Sequence, residues 1–334
     1  MLLKDYVPAL KYGAKILSSE VLGDISTFSE KALFVDGDSG SDNNSGSSPT
    51  NATKTIQAAV DLASAGDTIY IKALDIAALA TDPTSYAESI IIPNNKPQLK
   101  LIGVSSGLTQ GGVPQIKGDA VATTEIILTV RSAGCLIANL GFNGAGTTGG
   151  GILLDSDGGT TKDSFGTTII GCHFKNCKGT TATDCRTGGA IMWSANGGSW
   201  QVRISNNVFY NNVGDVILKG TGVSVPQDVV ISDNVFQGIA TAVDCHLFLT
   251  GGGSGMLGVT VNNNTFADVL PALSSGSIVR YADLTGCTGI FSNNYFGGSY
   301  TTSGFGAAKA AAKLPATVGI AHNYSDAGLI VREA

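Results

Sequence analysis

Two aspartates separated by one residue, Asp155 and Asp157 in Leu153-Leu-Asp-Ser-Asp-Gly158, are the pair best placed for acid–base chemistry. On a continuing strand both point the same way, with Cα atoms about 6.6 Å apart. Paired carboxylates at such a separation can protonate a glycosidic oxygen and serve as nucleophile or activate water. If Ile152 aligns with Ile191 and Val216, then Ser194 and Lys219 fall in the same outward column as Asp155. Lys219 or Arg186 would then be the base that elimination chemistry needs near acid-bound Ca²⁺. The plainer reading is a solvated turn, since Asp, Ser and Gly together are turn formers.

Other side chains with ligating or binding chemistry are more scattered. Asp36, Asp38 and Asp42 lie close together in Asp36-Gly-Asp-Ser-Gly-Ser-Asp42, so Ca²⁺ is conceivable there. The loop has no Glu at the twelfth place of an EF-hand, and a turn is favoured over a metal site. Cys172, His173, Cys177 and Cys185 follow no usual zinc-ligand spacing. The histidines at 173, 246 and 322 are isolated in sequence. Trp193 and Trp200, with the long excursion from Lys175 to Gly189, could stack on a sugar or fill a subunit interface. The interface is preferred. No cofactor is expected.

What must position these residues is a repeat. Cys135-Leu-Ile-Ala-Asn-Leu-Gly-Phe142 returns in altered form as Thr167 to Phe174, Val202 to Phe209, Val229 to Phe236, Val259 to Phe266 and Gly289 to Phe296. Successive phenylalanines are 32, 35, 27, 30 and 30 residues apart, the interval of stacked supersecondary units. Apolar residues at alternate positions, rich in Val and Ile, carry the period of a strand. A second apolar run follows each Phe, as in Ala190-Ile-Met-Trp193 and Val216-Ile-Leu218, and little helix-forming sequence intervenes. The pattern predicts an all-β solenoid, a single-stranded parallel β-helix of roughly nine coils in which like residues stack about 4.8 Å apart. Phe142, Phe174, Phe209, Phe236, Phe266 and Phe296 form an internal aromatic ladder on this reading. Asn207, Asn234, Asn264 and Asn294 take the left-handed conformation at a bend and bond one another. These ladder residues are structural.

The composition agrees. Charged residues make up only 14% of the 334, hydrophobic ones 43%, and there are 45 glycines, which suits a folded β-solenoid. A net charge of −6 offers no basic stripe for nucleic acid. No apolar run is long enough to span a membrane. The six cysteines are scattered, which favours core thiols over a disulfide framework. The start has no apolar h-region, so no secretory signal is expected.

Residues 33–73 combine an entry strand, a Gly/Ser/Asp loop and Thr53 to Ala63, where Ile56, Ala59, Val60 and Ala63 have helical spacing. Such a helix would cap the hydrophobic end of the tube. Val35-Asp36, Gly40-Ser-Asp42, Asn44, Gly46, Ser48-Pro49, Thr55-Ile-Gln-Ala-Ala-Val-Asp61 and Gly66-Asp-Thr-Ile-Tyr-Ile71 together resemble the opening of right-handed parallel β-helix proteins of the pectate-lyase-like superfamily. With the repeats, the resemblance covers residues 33–300. It implies the fold but not one activity, because lyases, hydrolases, epimerases and inert virion proteins share the architecture. The Asn-Thr-Asp, Asp-Asp and Gly-His-Gly set of polygalacturonase-like hydrolases is missing.

Residues 1–32 stand outside the repeat and are too broken by Gly13 and Gly23 to fold alone. They read as a docking arm carrying Tyr6, Leu10, Tyr12, Ile16, Leu17, Val21 and Leu22. Leu10 to Gly23 resembles the N-terminal anchoring arms of some tailed-phage structural proteins. Coils over residues 74–304 and a C-terminal cap over 305–334 complete the expected organisation. The resulting expectation is a non-enzymatic phage virion component: a homotrimeric capsid decoration or cement protein, or a short head fibre, bound to the major capsid protein and located in the virion. Cell-surface polysaccharide is a further possible partner; nucleic acid and membrane are not expected. The alternative is a polysaccharide lyase or glycoside hydrolase, as in a phage depolymerase or tailspike.

Overall fold

The computed structural model describes residues 31–75, 85–104, 112–118, 126–144, 150–156, 164–177, 189–194, 199–218, 225–239, 246–251, 254–268, 282–298, 314–325 and 328–330. Within these, short strands alternate in a fixed order and, apart from two short antiparallel pairings, pair with their counterparts one coil away. Arg203–Ser205, Val208–Asn212 and Val216–Leu218 are one such trio. Stacking produces three sheets: a first of ten parallel strands from Ala32–Val35 to Val318–Ala321, a second of ten, and a third of seven. The chain is therefore an all-β solenoid of parallel strands, as the repeat predicts.

Register explains why the repeat is visible. Phe142, Phe174, Phe209, Phe236, Phe266 and Phe296 are direct partners in the second sheet. Their rings stack with centroids 4.7–5.0 Å apart and interplanar angles of 7–15°. Ile137, Ile169, Ile204, Ile231, Val261 and Phe291 form the facing column in the first sheet. Both columns belong to one continuous core running the length of the tube. Each coil alone has too little apolar area to bury, so cohesion comes from neighbours.

The bend between the first and second sheets departs from expectation in one respect. Positive φ falls on Asn206, Asp233, Asn263 and Asn293, at 54–58°, not on the asparagines that follow them. Asn207, Asn234, Asn264 and Asn294 are instead turned inward and buried. Each side-chain oxygen accepts from the backbone N–H of the preceding coil, as in Asn207 N to Asn234 Oδ1 at 3.0 Å. One residue turns the corner, which leaves its successor free to satisfy the buried amides. Asn323 continues the same ladder in the final coil.

That final coil corrects the expected C-terminal boundary. Val318–Ala321 and Asn323–Ser325 extend the first and second sheets in parallel, so they are a last turn of the solenoid. Gly328–Ile330 then returns antiparallel to Asn323–Ser325. The lysine- and alanine-rich stretch 306–313 lies outside the described residues.

At the leading end, a helix spans Ile56–Leu62 and buries Ile56, Ala59 and Val60 against the core. Thr55 accepts from Ala58 N, and Glu88 accepts from Ile56 N and Gln57 N, so three of the exposed initial donors are satisfied. Burial holds the Glu88 carboxyl above its ordinary range despite those two bonds. Lys96 Nζ donates to the carbonyls of Val60, Asp61 and Ala63 at the other end. Tyr6, Leu10, Tyr12, Ile16, Leu17, Val21 and Leu22, expected from the sequence to dock, lie outside the described residues.

Candidate functional site

The sequence alignment of the third sheet holds: Ile152, Ile191 and Val216 are partners in successive coils. Ile152 and Leu154 face the core, and Asp155 follows where the strand ends. Its Oδ2 accepts from Arg131 Nε at 3.0 Å, on the preceding coil, and both groups are partly exposed. Asp157, Lys219 and Arg186 lie outside the described residues; among the described residues Asp155 pairs with Arg131. A pair of this kind near the surface, its side chains 32% and 16% exposed, contributes about 1 kcal/mol or less. Nearby, the buried hydroxyls of Ser156 and Ser194 have no hydrogen-bond partner among the described residues. In the middle of the outer face of the same sheet Met192, Ile217 and Phe248 are buried and pack with Leu153, while Ile91 on the same face is 44% exposed.

Trp193 overturns a prediction. It is 0% exposed and belongs to the interior cluster, so it contacts neither a glycan nor another subunit. Ile191 and Trp193 are two apart on a strand and share a face; since Ile191 packs inward, Trp193 must too. Trp200 is half-buried, and its carbonyl accepts from Gly166 N at 2.8 Å.

The three loop carboxylates do not converge. Lys72 Nζ lies 3.1 Å from Asp36 and 3.3 Å from Asp38, whereas Asp42 accepts from Lys54 N and Thr55 N at the helix entrance. Burial pushes Asp36 upward, but hydrogen bonds from Ser39 and Lys72 outweigh it and hold the carboxyl below its usual value. The imagined zinc ligands are likewise separated. Cys172 and Cys177 point into the core, with thiols pushed up to about 12 by burial. Lys175 and His173 flank inward-facing Phe174 on the opposite side of the strand. Cys185 lies outside the described residues.

Two groupings escape a reading by sequence spacing alone. Inside the tube, His246 Nδ1 donates to Asp215 Oδ2 at 2.6 Å, and both side chains are 0% exposed. Asn212 donates to the other Asp215 oxygen at 2.9 Å, while the His246 ring lies 5.8 and 5.7 Å from Phe236 and Phe266. This pair has no access to substrate and holds the fold. The second grouping is a pocket of about 280 Å³ on the outside of the second sheet, lined by Gln115, His173, Lys175, Val208, Tyr210 and Gln237. The signal was present in the positions immediately before and after each ladder Phe, which strand alternation sends outward.

No protein-family model matches the chain, and no curated protein matches it. Two solved structures of GH136 lacto-N-biosidase from Eubacterium ramulus, a selenomethionine derivative and the native protein, are similar at a TM-score of 0.39. They share 12% and 11% identity, over 90% of this chain and 68% of theirs. Neither identity nor superposition at that level bears on activity.

Proposed function

We propose that this protein is a non-enzymatic structural rod of a tailed-phage particle, a right-handed parallel β-helix whose leading helix closes one end. On this reading it is a homotrimeric capsid decoration or cement protein, or a short head fibre, and residues 1–32 grip the major capsid protein. The observation that supports a passive rod is the state of Asp155, which is tied to Arg131 beside the buried apolar cluster of Met192, Ile217 and Phe248. The arm-like sequence from Leu10 to Gly23 supports the particle assignment. Deleting residues 1–32 should abolish incorporation into particles and leave a folded rod. Undiminished incorporation would refute the arm's role.

The second reading is a polysaccharide lyase or glycoside hydrolase. It is favoured by the buried hydroxyls of Ser156 and Ser194 next to Asp155, which have no hydrogen-bond partner among the described residues. Incubation with acidic and neutral polysaccharides separates the two. New reducing ends or unsaturated uronate absorbance, abolished by Asp155→Ala, would establish the enzyme.

A further inference from the structure

We propose that the trailing edge of the first sheet, Val318–Ala321, pairs antiparallel with the same edge of a second copy, joining two rods tail to tail. The contact is independent of residues 1–32 and of any particle.

Alternation along that strand shows which groups are left over. Gly289 N donates to Thr317 O and Asn293 N to Ala321 O, so residues 317, 319 and 321 bond back to the preceding coil. The N–H and C=O of Ile320 therefore point the other way, past the last strand of the sheet. Among the described residues no strand lies beyond it. Val318 N is engaged with Pro315 O at 2.9 Å, which leaves Ile320 as the centre of the edge. Gly319 and Ala321 on either side are exposed. A bare edge is a template for another strand, and this one lacks the usual guards: Thr317 to Tyr324 contains no Lys, Arg, Asp, Glu or Pro.

Other sheet ends are finished by the chain itself, and this selects the partner. At the leading edge of the first sheet, Phe34 N donates to Gly46 O, Thr53 N to Phe34 O and Asp36 N to Thr53 O, each at 2.9 Å. On the third sheet, Ile91 N donates to Gln57 Oε1 at 2.8 Å and Ile91 O accepts from Gln57 Nε2 at 3.4 Å, an amide standing in for a missing strand. The trailing edge of the second sheet is closed by Gly328–Ile330. A head-to-tail filament is thereby obstructed, because a loop already lies along the leading edge that it would need. The trailing edge of a second copy is open. A two-fold axis at Ile320 lets each Ile320 N–H donate to the C=O of the other copy. In that register Gly319 of one copy stands opposite Ala321 of the other on the outer face, twice by symmetry. A contact confined to the rod end falls below the roughly 1,200 Å² of stable interfaces, so association is expected at micromolar concentrations.

The test is sedimentation and small-angle scattering of the 334-residue protein from about 1 to 200 µM. A reversible shift from one copy to two is expected, with the maximum dimension about doubling. A Cβ on Gly319 would meet Gly289 O at 3.7 Å and Ile290 Cγ1 at 4.0 Å, ordinary contact distances, so a larger residue fits there. Gly319→Lys combined with Ala321→Lys sets like charges opposite one another twice per dimer and should weaken association about tenfold or more. Gly319→Lys combined with Ala321→Glu sets opposite charges face to face across the axis and should restore association to within about threefold of the parent. Unfolding midpoints equal to that of the parent will show that each variant is intact. A single copy at every concentration, an oligomer no longer than one rod, or a double-lysine variant that associates like the parent would overturn the proposal. Equal weakening by the lysine–glutamate variant would overturn the antiparallel register, and the proposal with it.

Discussion

Asn234 is the residue at which the ladder can be tested most sharply. It is 1% exposed, and its Oδ1 accepts from both Asn207 N and Asn207 Nδ2 at 3.0 Å. Its Nδ2 donates to Ile204 O at 2.9 Å and to Asn264 Oδ1 at 3.0 Å. Asn234→Ala removes all four bonds and strands the buried Asn207 N–H. Asn207 Nδ2 keeps Ile169 O, and Asn264 Oδ1 keeps Asn234 N. One orphaned donor plus the lost bonds should cost about 3–5 kcal/mol. Asn234→Asp keeps the shape but points an oxygen at two acceptors, so the ionised form is repelled and the folded pKa of the new carboxyl rises. Because a raised carboxyl pKa favours the protonated state, stability should fall as pH climbs from about 4, the unfolded value, through the folded one. Guanidinium unfolding at pH 4 and pH 7 reads both effects in the midpoint and slope. If Asn234→Asp lies within about 0.5 kcal/mol of the parent at pH 7, the bonds between coils are not what hold the bend.

Three further outcomes are expected. Phe236→Ala, which opens the middle of a ring stack with centroids 4.8 and 4.7 Å away, should cost about 3–5 kcal/mol, whereas Phe236→Leu should cost roughly 1–2 in the same assay. Asp215→Asn should destabilise by about 2–4 kcal/mol because it disrupts a fully buried hydrogen-bonded network with His246 and Asn212. Asp155→Asn should cost no more than about 1 kcal/mol, and the reverse order would contradict the burial argument. In a variant lacking Cys185 and Cys245, the thiols of Cys135, Cys172, Cys177 and Cys287, pushed up to about 12 by burial, should resist a thiol reagent at pH 8 until denaturant is added. Rapid labelling of the folded protein would show that these coils open.

The architecture was legible because stacked strands impose a rule that local sequence must obey. A column such as Phe142 to Phe296 recurs at nearly fixed offsets from its bend, and alternation assigns inside and outside without any knowledge of distant contacts. The identity of the ladder asparagines could be read in the same way, but not which of two adjacent residues turns the corner. Asn206 and Asn207 are chemically alike in sequence and differ only in where the backbone sends them.

Residues that meet across coils were another matter. Arg131 reaches Asp155 over 24 positions and His246 reaches Asp215 over 31, intervals set by loops whose lengths vary from coil to coil. Trp193 looked like a surface aromatic until its strand partner fixed its direction. The pocket around Tyr210 and Lys175 exists only because four strands bring their outward residues side by side. Periodicity along the chain specified the tube, since each strand obeys its own alternation. Pairings outside the repeat came from the wound structure, because only closing the loops fixes which coils, and so which charges, become neighbours.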